Sequence, residues 1–487
     1  MAHKLLFVAA ALCFMQVIAG AVYNAAAHTC ETIKREISPA STVEYPGVLS
    51  PILADDATAH WFQSSNQVPT CVVEPASALD VSIALRAIAA DRTPFAVMSG
   101  GHASNPGFSS TQGVHISLRR LNQVVLSSDR TSVEIGFGQG WMDVYKKLDA
   151  TGINVVGGRV PGPGVGGFTL GGGYSWKTNQ HGLTCDTVKL YNLVLPNGTI
   201  TTASENVNPD IFFALKGGLN RFGIVTSAVL NTHPQTKVHG GLIIYPATSI
   251  PALLDLTANF SDNNTDPKTQ IITTIGGSPT GPTAIALLFH DGPTKPTSLR
   301  AFEAIPHLVD TVETQSFLQF VEGIPSELAQ VANRRGAFAT FSTSNLTPRF
   351  LYAIQAECEL FGKIMAQHGG LTASYDIEPF TRYGQFATES AYPHGHSPLP
   401  LNLYFSWADK SEDEFWHKQM RESLGRLKQM AVEEQIYSPS LTQYPNYALA
   451  GAAAEELYGH LNAARLREIR RVVDPLRVMD LAGGFEI

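Results

Sequence analysis

Two glycine-rich segments hold the residues best suited to chemistry: Ser99-Gly100-Gly101-His102, and Gly164-Val165-Gly166-Gly167-Phe168-Thr169-Leu170-Gly171-Gly172-Gly173. Glycine has no Cβ and tolerates positive φ, so two such segments let the backbone approach a large planar, phosphate-bearing ligand from two sides. His102 closes the first segment. There an imidazole meets the ligand rather than a core, and it can act on that ligand as a nucleophile. The pairing implies a bound flavin.

A dinucleotide fold competes for the same glycines, because Gly162-Pro163-Gly164-Val165-Gly166-Gly167 satisfies G-x-G-x-x-G. That motif needs a helix whose N-terminus holds the pyrophosphate. The run instead continues in glycines, each costing ~1 kcal/mol in a helix, so no helix is expected there. Asp186 stands near the downstream spacing of a ribose-binding acid, but it precedes the strand expected over 189–195 instead of ending one.

The chain has 487 residues, too many for one ordinary domain. With 44% hydrophobic and 16% charged residues it can bury large cores, and 42 glycines with 29 prolines imply many turns. A net charge of -8 without a basic patch argues against nucleic acid as a partner. Residues 1–20 read as a secretory signal peptide: a short charged start, an apolar run from Leu5 to Ala19, then small residues. That run is shorter than the ~20 residues of a membrane span, and no membrane segment is expected elsewhere.

Secretion favours disulfides. Cys30 and Cys71, both near the start of the first domain, are paired; Cys185 and Cys358 read as buried free thiols, and Cys358 lies on the helical stripe Phe350, Ile354, Cys358, Phe361, Met365. No Cys/His spacing suggests a metal site. Sequons at Asn197, Asn259, Asn263 and Asn345 allow glycosylation, most of all at Asn259 and Asn263, where the surroundings look polar and loop-like.

Periodicity predicts a β-α-β start, with a strand over 71–73, a helix over 76–90 and a strand over 95–97 leading into the Ser99 loop. Strands over 114–118, 124–126 and 132–137 and a helix over 142–150 precede the glycine cluster. After it, strands over 190–195 and 199–202 flank the turn Pro196-Asn197-Gly198. From about Gly240 longer strands alternate with long helices, over 350–368 and 412–432, which indicates a second domain with a larger sheet and helices on one face. The segment 446–487 is expected to return to the first domain through an apolar helix and a short terminal strand.

The motifs Gly100-Gly101-His102, Gly140 to Tyr145, Gly157-Gly158-Arg159, Gly164 to Gly173, His181 to Asp186, Leu215 to Gly218 and Phe222 to Thr226 stand in an order that resembles berberine bridge enzyme-like flavoproteins of the vanillyl-alcohol oxidase superfamily, secreted fungal members above all. The likeness extends through Tyr444-Pro445-Asn446-Tyr447 and Asp474 to Met479. It implies an α+β fold: a two-subdomain, PCMH-type FAD-binding domain over 67–238, a substrate domain over 239–440 with an antiparallel sheet backed by helices, and a segment 441–487 returning to the FAD domain.

The resemblance also implies roles. His102 would bond to the flavin 8α-methyl carbon. Some relatives add a cysteinyl link, but Val160 stands at that position, so the attachment should be single. Ser99, Gly100, Gly101, Gly164, Gly166, Gly167, Gly171 and Gly172 would contact the cofactor, together with Ile224, Val225, Asn446 and Tyr447. Tyr174 and Tyr444 would face the substrate, and a phenol such as that of Tyr174 can serve as base where a nearby cation lowers its pKa. Pro163 replaces the small aliphatic residue that usually admits O2 to the flavin. The implied function is oxidation of a small organic substrate, an alcohol, carbohydrate or natural product, by hydride transfer to FAD with O2 as acceptor. The alternatives are a dehydrogenase using another acceptor and a flavin-binding protein aiding a non-redox cyclisation.

Overall fold

The helix Ala78–Asp91 begins where Ser77 caps it, its hydroxyl accepting from the Asp80 N–H and donating to the Asp80 carboxylate at 2.6 Å. It ends at Arg92, whose left-handed φ of 53° breaks the helical path. This helix joins two parallel strands of the first sheet. In the computed structural model, which describes residues 25–46, 57–278, 280–325 and 334–487, that sheet contains β1 (Thr42–Glu44), β2 (Cys71–Glu74), β3 (Phe95–Met98) and β4 (Val114–Ser117) in the order β1-β2-β4-β3. β2 and β3 both pair with β4 in parallel, as the β-α-β expectation requires. A helix over 25–36 is tied to β2 by the Cys30–Cys71 disulfide, and both cysteines lie fully inside the core rather than in a polar approach to it. The expected signal peptide, 1–20, lies outside the described residues.

A second, antiparallel sheet uses β5 (Val124–Leu126), β6 (Ser132–Gly136), β8 (Val188–Val194), β9 (Ile200–Ala203) and β10 (Ile224–Asn231), ordered β5-β6-β10-β8-β9, while β7 (Ile153–Asn154) pairs with β11 (His233–Pro234). The β8–β9 turn is the expected hairpin, closed by the Leu195 N–H on the Thr199 carbonyl with Gly198 at φ 84°.

The third sheet contains β12 (Val238–Tyr245), β13 (Thr269–Gly277), β14 (Thr283–His290), β15 (Val309–Asp310), β16 (Glu313–Gln315), β17 (Arg335–Thr343), β18 (Gly370–Ile377) and β19 (Leu399–Trp407). Its order is β15-β12-β14-β13-β18-β19-β17, with β16 also on β12, and every pairing is antiparallel. The helices Ile250–Asn263, Pro348–Met365 and Asp413–Glu433 pack into a single apolar core with this sheet, and the Phe350, Ile354, Cys358, Phe361, Met365 stripe is wholly buried there. Cys185 and Cys358 are buried free thiols.

Three local expectations need correction. Val165–Leu170 is a short helix despite Gly166 and Gly167. Tertiary contacts override the propensity cost: the Gly166 N–H donates to Ser99 Oγ, and any Cβ at Gly166 would press on Ser99 and Phe137. Asn259 and Asn263 lie on the exposed side of the helix Ile250–Asn263, where Asn263 Nδ2 donates to Asn259 Oδ1 at 2.9 Å, and not in a loop. The C-terminal helical segment Ala454–Val473, kinked at Gly459 with φ 68°, does join the first core, but no terminal strand follows it; only a bridge between Phe95 and Ala482 forms. Arg221 occupies the carbonyls of Met479, Ala482 and Phe485 that a longer ladder would use. Among the described residues no helix is long and apolar enough to cross a membrane.

Candidate active site

A cavity of about 550 Å³ opens between the two glycine segments, the start of β10, the face of the third sheet turned away from its helices, and the returning C-terminal segment. The two segments meet with no room for side chains: a Cβ on Gly100 would lie 2.2 Å from the Gly164 nitrogen, and one on Gly164 equally close to the Gly100 nitrogen. Ser99 fastens the contact by donating to the Phe137 carbonyl at 2.5 Å and accepting from Gly166 N–H at 3.1 Å. Gln139 and Trp141 hold the second segment from behind through Val165 N–H and the Pro163 carbonyl.

Ser99, Gly100, Gly101, His102, Gly164, Gly166, Gly167, Ile224, Val225, Tyr174, Tyr444, Asn446 and Tyr447 all line this cavity, as does Pro163. Gly171 and Gly172 do not. A Cβ on Gly171 would strike the Asn446 amide at 2.1 Å, so this glycine seats Asn446 from behind; Gly172, at φ 118°, turns the chain against Leu183, Tyr392 and Tyr444. Asn446 in turn donates to the Phe168 carbonyl and to Tyr444 Oη.

His102 stacks on Trp61 with ring centroids 4.8 Å apart and makes no hydrogen bond among the described residues. Burial, with a smaller push from His60, lowers its pKa to about 4, so the imidazole is neutral at ordinary pH. Tyr174 differs from the expectation of a cation-activated phenol. Tyr174 presents its ring to the cavity, but its hydroxyl is buried among Tyr383 Oη at 2.5 Å, Tyr392 Oη at 3.2 Å and the Pro398 carbonyl. Burial and those neighbouring phenols raise its pKa far above the usual range, and no cation is among its partners. Tyr444 accepts from Gly173 N–H and Asn446 Nδ2, and burial pushes it up to about 12.

The charged machinery lies elsewhere on the wall. Arg159 Nη2 donates to Glu378 Oε1 at 2.8 Å and to Tyr447 Oη at 2.6 Å, and Tyr447 donates to the same Glu378 oxygen at 3.1 Å. Arg159 and Glu378 are buried and Tyr447 is half-buried, and Arg159 Nη1 and Glu378 Oε2 have no partner among the described residues. Burial raises the Glu378 pKa while Arg159 opposes it. Burial works against the Arg159 charge, yet Glu378 and Tyr447 more than restore it. Asp376, two residues earlier on the same face, is raised by burial against hydrogen bonds from Thr274 and Asn402. Sequence reasoning missed both acids, although Tyr375-Asp376-Ile377-Glu378 alternates charged with apolar residues at the end of a buried strand.

The family described as an FAD binding domain matches residues 69–204. The FAD-dependent monooxygenase drtC of Aspergillus calidoustus is 31% identical over 86% of this chain and 82% of its own. Among solved structures, 6-hydroxy-D-nicotine oxidase from Arthrobacter nicotinovorans superposes with a TM-score of 0.77 at 20% identity, over 92% of this chain and 98% of that one. Berberine bridge enzyme from Eschscholzia californica gives 0.75 at 17%, over 93% and 97%. The chain belongs to the FAD-linked oxidoreductases, with the fold of berberine bridge enzyme.

The cavity of this FAD-linked oxidoreductase suits its cofactor. Gly167 lines it with nothing within 4 Å of where a Cβ would be, which leaves open space for a ligand against the backbone. The neutral His102 ring and Arg159 Nη1, which has no acceptor among the described residues, face the same space. Val160 lines it too.

Proposed function

We propose that this FAD-dependent oxidoreductase removes two electrons from a small organic alcohol or amine, with Glu378 as the general base and His102 as the single covalent anchor of the flavin. The observation that carries this reading is the Arg159–Glu378–Tyr447 cluster on the cavity wall. Bound FAD supplies the two-electron acceptor. Glu378 Oε2 has no partner among the described residues and can take the proton that leaves the substrate oxygen or nitrogen. Arg159 opposes the rise in pKa that burial imposes on that carboxyl, and Tyr447 fixes the other oxygen so that Oε2 stays available. The buried wall excludes water from the departing proton. The glycine segments would hold the cofactor by backbone contact, with Ile224, Val225 and Asn446 beside them.

Secretion is part of the proposal, supported by the Cys30–Cys71 disulfide. O2 is proposed as the electron acceptor. A second reading follows from the likeness to the Aspergillus monooxygenase: oxygen would then enter the product. Anaerobic mixing with a panel of alcohols, sugars and polyketide-like aromatics, read by bleaching of the flavin absorbance, tests the core of the reading. Reduction by at least one class in the wild type, and its loss in Glu378→Gln with flavin content unchanged, is the expected result. A flavin that stays oxidised throughout sinks it. Under ¹⁸O2, label in peroxide alone supports the oxidase, and label in product the monooxygenase.

A further inference from the structure

One row of side chains crosses the third sheet on the wall of the cavity. Strand register sets Thr340 opposite Asn402, Asn402 opposite Asp376, and Asp376 opposite Thr274. Asp376 accepts from Thr274 Oγ1 at 2.7 Å and from Asn402 Nδ2 at 2.9 Å, so both carboxyl oxygens are engaged. Asn402 Oδ1 is not. It is buried on the cavity wall without a donor among the described residues, and an unpaired buried acceptor is destabilising enough that a ligand group is its natural partner.

Tyr404 lies two residues further along β19, on the same face. Its phenol oxygen accepts from Arg334 Nη1 at 2.6 Å, and its own hydrogen has no acceptor among the described residues. Arg334 is 5% exposed and pairs with no carboxylate among the described residues, so its charge is set against Tyr404 alone. That polarises the phenol as a donor toward the cavity. Beside these two points the wall is aromatic and aliphatic: the Phe338 and Tyr404 rings lie 5.4 Å apart, tilted by 40°, with Ile272, Leu287 and Ile324 on the same cavity. An oligosaccharide needs polar partners at many hydroxyls, and this wall offers few.

We infer that the site takes a planar aromatic substrate with an O–H or N–H donor for Asn402 Oδ1 and an acceptor oxygen for the Tyr404 hydroxyl, a hydroxylated aryl ketone by class. The inference rests on the flavin-site reading above and adds its substrate class. Titrating the holoenzyme with para-hydroxyacetophenone, followed by perturbation of the flavin absorbance without turnover, tests it. para-Ethylphenol lacks the acceptor, para-methylacetophenone lacks the donor, and chitotriose stands for the sugars. Each simplified aromatic should bind about tenfold more weakly than the parent. Tyr404→Phe should bring para-hydroxyacetophenone down to the level of para-ethylphenol while leaving para-ethylphenol itself unchanged. Equal weakening of both probes by Tyr404→Phe, or tighter binding of chitotriose than of any aryl probe, overturns the inference. A yellow, folded holoenzyme that ignores every aryl probe refutes the substrate class and leaves the redox reading standing, whereas a protein that holds no flavin refutes both.

Discussion

Arg159 and Glu378 form a buried ion pair at 2.8 Å between the approach to the second glycine segment and the end of β18, and Tyr447 of the returning segment closes it. Three distant parts of the chain thus meet at one carboxylate. Removing the carboxylate alone keeps the shape, so Glu378→Gln should retain its flavin and slow anaerobic flavin reduction by about 10²–10⁴-fold, the usual value of a positioned base. Arg159→Met leaves a buried charge uncompensated and should cost about 3 kcal/mol in denaturant unfolding. If both variants reduce their flavin at the wild-type rate, the base lies elsewhere.

The pH dependence has a definite sign. Burial raises the folded-state pKa of Glu378 and Asp376, so the folded protein holds these protons more tightly than the unfolded chain does. Their contribution to stability is therefore full below the ordinary carboxyl range and is lost as pH rises through the raised folded values. Activity runs the opposite way, because the base works ionised. Flavin reduction should rise with pH along a limb centred above ~4.3, and Arg159→Lys should preserve that limb better than Arg159→Met. A rate that falls across this interval would contradict the assignment.

The scaffold was far more legible than the chemistry. The β-α-β start, the Asn197-Gly198 hairpin and the Phe350 to Met365 stripe rest on local patterns, which a single chain displays directly. The glycine segments were readable for the same reason: they do their work through their own backbone. Glu378 and Asp376 were not, since their meaning depends on Arg159 and Asn402, which only strand register and the domain junction bring near. Tyr174 shows the converse. Its place beside Gly173 is local, but the direction of its hydroxyl is set by Tyr383 and Tyr392, some two hundred residues on. The helix at Val165–Leu170 was misjudged because its glycines are stabilised by Ser99 and Phe137, contacts that propensity does not count.

His102 should keep the flavin on the protein through acid precipitation, since a neutral, unpartnered imidazole is the form able to make the bond. His102→Ala should fold and bind FAD yet release it into the supernatant. Free extraction of flavin from the wild type would remove the covalent anchor.

The Cys30–Cys71 disulfide closes a loop of 41 residues and should stabilise by ~4 kcal/mol on loop entropy. A Cys30→Ala, Cys71→Ala double variant should unfold at markedly lower denaturant with unchanged flavin spectra. Native protein in which both thiols alkylate without reductant would show that the bridge does not form.

Pro163 lines the cavity between Gly162, at φ 107°, and Gly164, which caps the Val165–Leu170 helix, and its carbonyl is held by Trp141 N–H at 3.1 Å. The ring fixes φ and fills space on the cavity side that a smaller residue would leave open. Pro163→Ala and Pro163→Val should therefore speed the reaction of reduced flavin with O2 several-fold while changing reduction by substrate much less. Stopped flow separates the two steps, with enzyme reduced anaerobically and then mixed with oxygenated buffer. The carbonyl contact to Trp141 survives either substitution, so the segment should keep its course and a change in reoxidation would report access rather than collapse. Identical reoxidation in wild type and variants would reduce Pro163 to a turn residue, whose role is to pre-set the chain for the helix that follows.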